Sequence, residues 1–508
     1  MKKKKFLAML LATGMVLSSF GCGQEKKPVE VTPETTEKSG SESTVTVVEE
    51  EVVPVTWVIR NDPQEDDEQV VEAVNEILRE KYHLELNLIA IPNAEYNDKM
   101  NLKITSGEDW DLCYTANFVN KFNDNVNREA FLGLNELIET TEAGKTLMSV
   151  YPEGLTDIAT VSGTIYAIPN YQIMYTQIGA YIQKDLADEF GLDVESVSSI
   201  EDLEPFMEWV RDNKEGIWPI CEGMSYGNAC YGMEMNTLFD GLVGSNVGVG
   251  CFDETYTVVN RLEASYEAFK LLNSYYKQGF VRSDAATAVD ITSDLAANRY
   301  AVIIGSVKPG GDADYTARYG KEYVMAEFGG PILGYDAGAT TMTAINVNSK
   351  NPEAALKLIS VVWTDPEVYN MLLFGIEGEH YNKVADNRVE LIENSGYNRS
   401  GLGWALGNQF NAYLLPGQAD DVWEVTEAGN KDAMKSVLTG FVPDSSGVAT
   451  EVAQVSSVEQ EYLNSYKYIE DYDAWYKEYM QKLEVAGINV IIEEMQKQVD
   501  AWREANGK

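Results

Sequence analysis

From Val55 to Arg60 the chain reads VTWVIR, a β-branched and aromatic run of the kind that packs well on a pleated surface. Asn61, Asp62 and Pro63 follow, offering an N-cap and a proline for the first helical position. Beyond them Val70, Val71, Val74, Ile77 and Leu78 recur at helical spacing and predict an amphipathic helix. The pattern then predicts a strand over Leu84 to Ala90, a helix over Tyr96 to Ile104 and a strand over Asp111 to Thr115. Strands alternating with helices of this length predict a parallel α/β sheet. The alternation continues with a helix over Leu132 to Ile138, a strand over Ile165 to Ile168, and helices over Ile182 to Phe190 and Ile200 to Asn213. After a Gly- and Asn-rich middle come a helix over Tyr266 to Tyr276, a strand over Tyr300 to Ile304 and a helix over Ala354 to Thr364. The C-terminal part reads as mainly helical. There Ile488, Ile492, Met495, Val499 and Trp502 lie on one stripe, predicting a terminal helix that packs by one face.

The N-terminal pattern is of another kind. Four lysines, Lys2 to Lys5, precede an apolar run from Phe6 to Leu17 and then Ser19, Phe20, Gly21 and Cys22. The run is shorter than the roughly 20 apolar residues that span a bilayer, and small Gly21 before Cys22 suits a signal peptidase. The segment resembles the bacterial lipobox, which implies removal of residues 1–21 and a diacylglycerol on Cys22. Ser19 and bulky Phe20 depart from the usual leucine and small residue. Residues 23–54 are rich in Glu, Lys, Thr, Ser, Pro and Val and hold no aromatic residue, so residues 22–54 are expected to form a disordered tether.

Loss of residues 1–21 removes four lysines and no acid, leaving 35 basic against 81 acidic residues and a net charge of −46. Such a surface repels phosphate, which argues against nucleic acid and against attachment to anionic lipid by charge. Cys113, Cys221, Cys230 and Cys251 remain besides Cys22. A disulfide among Cys221, Cys230 and Cys251 is compatible with the spacing, but buried thiols are favoured, and no metal pattern is present. His83 and His380 are the two histidines, and no Gly-x-Ser-x-Gly elbow, His-Glu-x-x-His, phosphate loop or dinucleotide fingerprint occurs. No cofactor is expected. A pair of carboxylates for glycoside cleavage is not excluded by so acidic a chain.

Several segments carry a family resemblance that covers the chain after the tether. They are Met100–Leu112 (MNLKITSGEDWDL), Tyr166–Gln172 (YAIPNYQ), Gly375–Tyr381 (GIEGEHY) and Gly407–Tyr413 (GNQFNAY). Near the end they are Gly440–Asp444 (GFVPD), Thr450–Ala453 (TEVA) and Glu494–Trp502 (EMQKQVDAW). In this order the chain resembles family 1 extracellular solute-binding proteins of carbohydrate ABC transporters. More closely it resembles the large Gram-positive LipO-type lipoproteins, whose C-terminal part is a domain of unknown function. The resemblance implies an α/β, two-lobe, periplasmic-binding-protein-like fold of type II with hinge-crossing strands and extra C-terminal helices. Lobe I would take residues 55–175 with a return segment about 336–390, lobe II residues 176–335, and residues 391–508 would complete lobe II. It also implies a monomer that gives a carbohydrate, an oligosaccharide, to permease subunits powered by a separate ATPase. Two other readings stay open: a binding protein for a peptide-like solute, and a surface lyase or glycosidase.

Ligands of open α/β sheets sit beyond the carboxyl ends of the strands. The loops there supply Arg60, Asn61, Asp62, Thr115, Asn117, Phe118, Asn170, Tyr171, Gln172 and Tyr175. Later segments supply Lys308, Glu377, His380, Trp404, Asn408, Gln409, Asn411 and Tyr413. Amides and carboxylates bond sugar hydroxyls in pairs, and aromatic faces stack on C–H-rich ring faces. The plainer alternatives are that Asn61 and Asp62 cap a helix, Tyr171 fills the core, and Glu377 to Tyr381 hold the hinge.

Overall fold

The computed structural model describes residues 51–221, 240–243, 249–251, 254–285, 291–462, 465 and 468–508. The signal segment, Cys22, most of the tether and Cys230 lie outside the described residues. Ten strands build two sheets. They are β1 (Val53–Arg60), β2 (Leu84–Ile91), β3 (Leu112–Thr115), β4 (Ile168–Pro169), β5 (Thr176–Gln183), β6 (Trp218–Ile220), β7 (Tyr300–Ser306), β8 (Tyr323–Leu333), β9 (Met342–Ile345) and β10 (Met434–Lys435). The first sheet runs in the order β2-β1-β3-β9-β4 and the second in the order β10-β8-β5-β7-β6.

Neither sheet is purely parallel. β1 pairs in parallel with β2 and β3, but β9 runs antiparallel to both β3 and β4. In the second sheet β5 runs antiparallel to both of its neighbours, β7 and β8. The cause is the chain path: β9 re-enters the first sheet from the second and so arrives from the opposite end. Three segments cross between the sheets, over residues 170–175, 334–341 and 413–433. One apolar core surrounds the first sheet and holds Trp57, Leu112, Ile345 and Trp363; another surrounds the second and holds Ile182, Phe206, Phe269 and Val302. The return segment reaches beyond residue 390, because Leu402, Ala405, Leu406 and Ala412 are buried in the first core.

Local differences from the sequence pattern have physical causes. The first helix spans Asp67–Tyr82, not the residues directly after Asp62, because Arg399 pulls the intervening loop into shape. Its guanidinium donates to Asn61 Oδ1, to the Asp62 carbonyl at 3.3 Å and to Asp67 Oδ1 at 2.6 Å. Ile182 belongs to β5 and the helix starts only at Lys184, while Val53 and Pro54, assigned to the tether, begin β1. Ile165 and Ile168 fall in two short strands rather than one. Helices Ala449–Tyr462, Tyr472–Ala486 and Ile488–Asn506 pack on the second core. In the last of them Ile488, Ile491, Met495 and Val499 are buried, with Ile492 and Trp502 at the edge of the stripe. Among the described residues no helix is long and apolar enough to cross a membrane.

Candidate functional site

Strand register brings the ends of β1, β3, β9 and β4 to one level facing the crossings, with Thr115 opposite Met342 and Met342 opposite Pro169. Arg60 and Phe118 meet there, the guanidinium carbon 5.6 Å from the ring centre. Burial pushes the Tyr114 phenol up, and the nearby Arg60 guanidinium draws it partly back. The Tyr114 hydroxyl donates to the Thr340 carbonyl at 2.7 Å on the second crossing, and its ring meets Trp404 edge-on at 6.0 Å. Phe118 is 52% exposed, an aromatic ring open to solvent at the end of β3. Asn117 beside it is exposed and donates through Nδ2 to Asp336 Oδ2 at 2.6 Å.

The second sheet contributes a pocket of about 280 Å³ where β5 begins and β7 ends. Tyr175, Gln177, Tyr181, Lys308, Tyr315 and Arg318 line it with six others. Tyr181 and Tyr315 stack with ring centres 3.7 Å apart. Gly311 makes room for them: a Cβ there would lie 2.4 Å from the Tyr181 hydroxyl. Lys308 pairs with Asp314 at 2.7 Å. Burial, with the charge of Glu327, pushes the Tyr175 phenol up to about 12, so it is a hydroxyl donor at any physiological pH. Tyr175 and Lys308 are thus brought together. Gln177, Tyr181, Asp314, Tyr315 and Arg318 were not singled out by sequence, although Asp314, Tyr315 and Arg318 share a helical face just after the Lys308 turn.

Other residues picked from the sequence make contacts within the fold. Thr115 is 0% exposed and donates to the Asn120 carbonyl at 2.6 Å. Asn170 donates to Thr341 Oγ1 and to the Ala405 carbonyl, both at 2.9 Å, and accepts from Thr343. Tyr171 is 5% exposed, stacked on Trp363 and edge-on to Phe410. Gln172 accepts at its carbonyl from Asn430, which also receives the Met174 N–H. These contacts tie the first crossing to helix Val422–Asp432 on the third. Asn408 caps the short turn at Phe410, Gln409 donates its backbone N–H to Tyr171, and Asn411 donates to the Trp363 carbonyl. Tyr413 packs against Phe374 and Tyr381, with Lys383 over its ring.

Asn61, Asp62, Glu377 and His380 group around a clamp rather than an opening. His380 is 1% exposed; its Nδ1 accepts from the Ile376 N–H at 2.9 Å and its Nε2 lies 3.3 Å from Asp66. Glu377 faces Lys383 at 3.8 Å on the surface. With Gln69 on Glu379 and Arg399 on Asn61, the clamp fastens the 61–69 loop to residues 375–399.

Residues 437–504 match DUF3502, a domain of unknown function. The structure of the N-glycan transport solute binding protein NgtS from Streptococcus pneumoniae superposes with a TM-score of 0.77 at 23% identity, over 90% of this chain and 100% of that one. The chain has the two-lobe fold of the solute-binding proteins. NgtS in complex with Man1GlcNAc gives a TM-score of 0.66 at 23% identity, over 89% and 99% of the two chains. In sequence, a protein of Streptococcus pneumoniae serotype 4 (strain ATCC BAA-334 / TIGR4) named carbohydrate ABC transporter substrate-binding protein is 27% identical over 462 residues, 88% of this chain and 90% of that one. These relatives are described as binding proteins of transport, not as enzymes. In the terms of that fold, the two sheets are the two lobes, and Phe118 and the tyrosine-lined pocket stand on opposite lobes.

Proposed function

We propose that this chain is the substrate-binding protein of an ABC importer, held to the outer face of the cell membrane through a lipid on Cys22. It captures an oligosaccharide between the lobes, closes over it by bending at the three crossings, and delivers it as a monomer to the permease. The observation that carries the reading is the pairing of an exposed aromatic face and an amide on one lobe with a tyrosine-lined, charged pocket on the other. The pocket alone, at about 280 Å³, lies at the lower edge of the roughly 300–1,000 Å³ of ligand sites, so a second wall must complete it. Closure that brings Phe118 over the pocket supplies that wall, and a ligand favours it by binding the closed state better.

The test is a thermal-shift screen of residues 51–508 against high-mannose, xylo-, fructo- and human-milk-type oligosaccharides. A ligand bound to the native state raises the melting temperature, by about 2.7 kcal/mol of stability at a hundredfold excess over Kd. A shift with one glycan class and unchanged glycan on chromatography is the expected result. No shift with any glycan sinks the carbohydrate reading, and released product makes the protein an enzyme.

A further inference from the structure

We infer that Asp336, on the second crossing, grips the sugar: with Asn117 it forms a carboxylate–amide pair that takes neighbouring hydroxyls of a ring stacked on Phe118. The inference rests on the carbohydrate reading above and adds a residue that the sequence pattern did not indicate. Three observations carry it. The first is place. Asp336 sits where the chain passes between the lobes, and Asn117 and Phe118 stand at the crossing-facing end of β3.

The second is open valence. Asn117 Nδ2 is the side-chain donor to the Asp336 carboxylate, and among the described residues no lysine or arginine pairs with that carboxylate within 4.0 Å. Asn117 donates its backbone N–H to the Ala339 carbonyl, which fixes the loop and leaves its side-chain oxygen as an unengaged acceptor. A carboxylate oxygen and an amide oxygen side by side are two acceptors for two vicinal hydroxyls, each of which is a donor. The exposed Phe118 ring next to them offers the apolar face on which a pyranose lies.

The third is cost. Burial raises the Asp336 pKa, with the Asn117 bond opposing the rise. A second carboxylate, Asp240, lies on the same side of the segment: a Cβ on Gly334 would be 3.4 Å from Asp240 Oδ1 and 3.5 Å from Asp336 Oδ1. Asp240 is satisfied inside the fold, accepting from the Tyr335 N–H at 2.8 Å and from the Ser436 hydroxyl. Asp336 accepts from the Asn117 amide and from its own backbone N–H. An ionised carboxylate has about four acceptor positions, so two hydrogen bonds leave room on Asp336 for a ligand's hydroxyls.

The experiment compares wild type, Asp336→Ala and Asn117→Ala of residues 51–508, titrating each calorimetrically with the glycan from the panel above that shifts the wild type most. Asp336→Ala is expected to weaken Kd by about tenfold or more, the scale of a lost hydrogen bond to a charged group, while the unliganded melting temperature holds or rises. Equal affinity in wild type and Asp336→Ala overturns the inference and leaves the carbohydrate reading standing. If Asp336→Ala melts lower without ligand, exposed Asn117→Ala decides, with a weaker Kd at an unchanged melting temperature supporting the pair and an unchanged Kd overturning it. A wild type that binds no glycan overturns the carbohydrate reading and this inference together.

Discussion

Asp240 and Phe118 show how differently single residues contribute at the junction of the lobes. Burial pushes the Asp240 pKa up to about 6 from 3.8, with Asp336 adding like charge and Arg261, Ser436 and the Tyr335 N–H opposing. Between those two values the folded chain holds a proton that the unfolded chain has lost. Stability from this group is therefore greatest at low pH and is lost as pH rises toward 6. At pH 7 the ionised group costs on the order of 2–3 kcal/mol. Asp240→Asn carries no such charge, so its stability relative to wild type should improve by about that amount between pH 4 and pH 7. Urea unfolding at both pH values measures it, and a difference that does not change with pH would refute the account. Phe118 is the opposite case. It is half exposed, with the Arg60 guanidinium over its ring, so Phe118→Ala should leave the melting temperature within about 2 °C. If its face stacks on sugar, the same change should weaken glycan affinity about tenfold by titration; unchanged affinity would remove Phe118 from the site.

At the scale of elements, what was legible from sequence depended on whether each strand or helix has two unlike faces. β2 and the helix Asp67–Tyr82 have one buried side, and their periods mark them plainly. β5 is buried on both faces from Gln177 to Gln183, so alternation vanishes and its end was read into the following helix. β8 and β9 are defined by pairing with residues more than a hundred positions earlier, such as Phe328 with Ile178 and Met342 with Thr115, which no local pattern encodes. The same limit applies to the candidate site. Strand-end loops led to Phe118, Asn117, Tyr175 and Lys308, which lie toward the crossings, while Asn170, an amide like Asn117, and His380 bond within the fold. Asp336 lies on a crossing whose partners come from three distant segments. Helix Val422–Asp432 makes a testable case of such non-local packing. A Cβ on Gly429 would lie 2.4 Å from Tyr175 Cε1. Alanine gains about 1 kcal/mol of helix propensity, but displacing the ring costs about 1–3 kcal/mol. Gly429→Ala should therefore cost about 0–2 kcal/mol in unfolding experiments and weaken glycan binding, because Tyr175 lines the pocket. Unaltered affinity would place that ring outside the binding surface.

For the whole molecule the decisive question is whether the C-terminal module, residues 440–508, is an appendage or part of the second lobe. Its side chains answer in the language of burial. Phe441, Val455, Tyr479, Leu483, Ile488, Ile491, Met495 and Val499 are buried in the same core as Ile182, Phe206 and Val302. Gln496 accepts from the Val258 N–H at 2.8 Å and donates to the Tyr256 carbonyl at 3.1 Å, stitching the last helix to a small sheet of three strands, Asp240–Val243, Val249–Cys251 and Val258–Asn260. Each large buried apolar side chain is worth about 1.5–3 kcal/mol, so the eight together, about 12–24 kcal/mol, are comparable to or larger than the whole net stability of about 5–15 kcal/mol expected of a domain. A chain ending at Thr439 should therefore fail to form the second lobe. It should be recovered insoluble or, if soluble, lose near-ultraviolet circular dichroism and cooperative melting. The first lobe draws on none of these residues, so limited proteolysis of such a chain should still leave a protected fragment beginning near Val53. A truncated chain that melts cooperatively and binds glycan with wild-type affinity would make the module an appendage. In that event its role would have to be sought outside the lobes, in contact with the transporter or the cell surface.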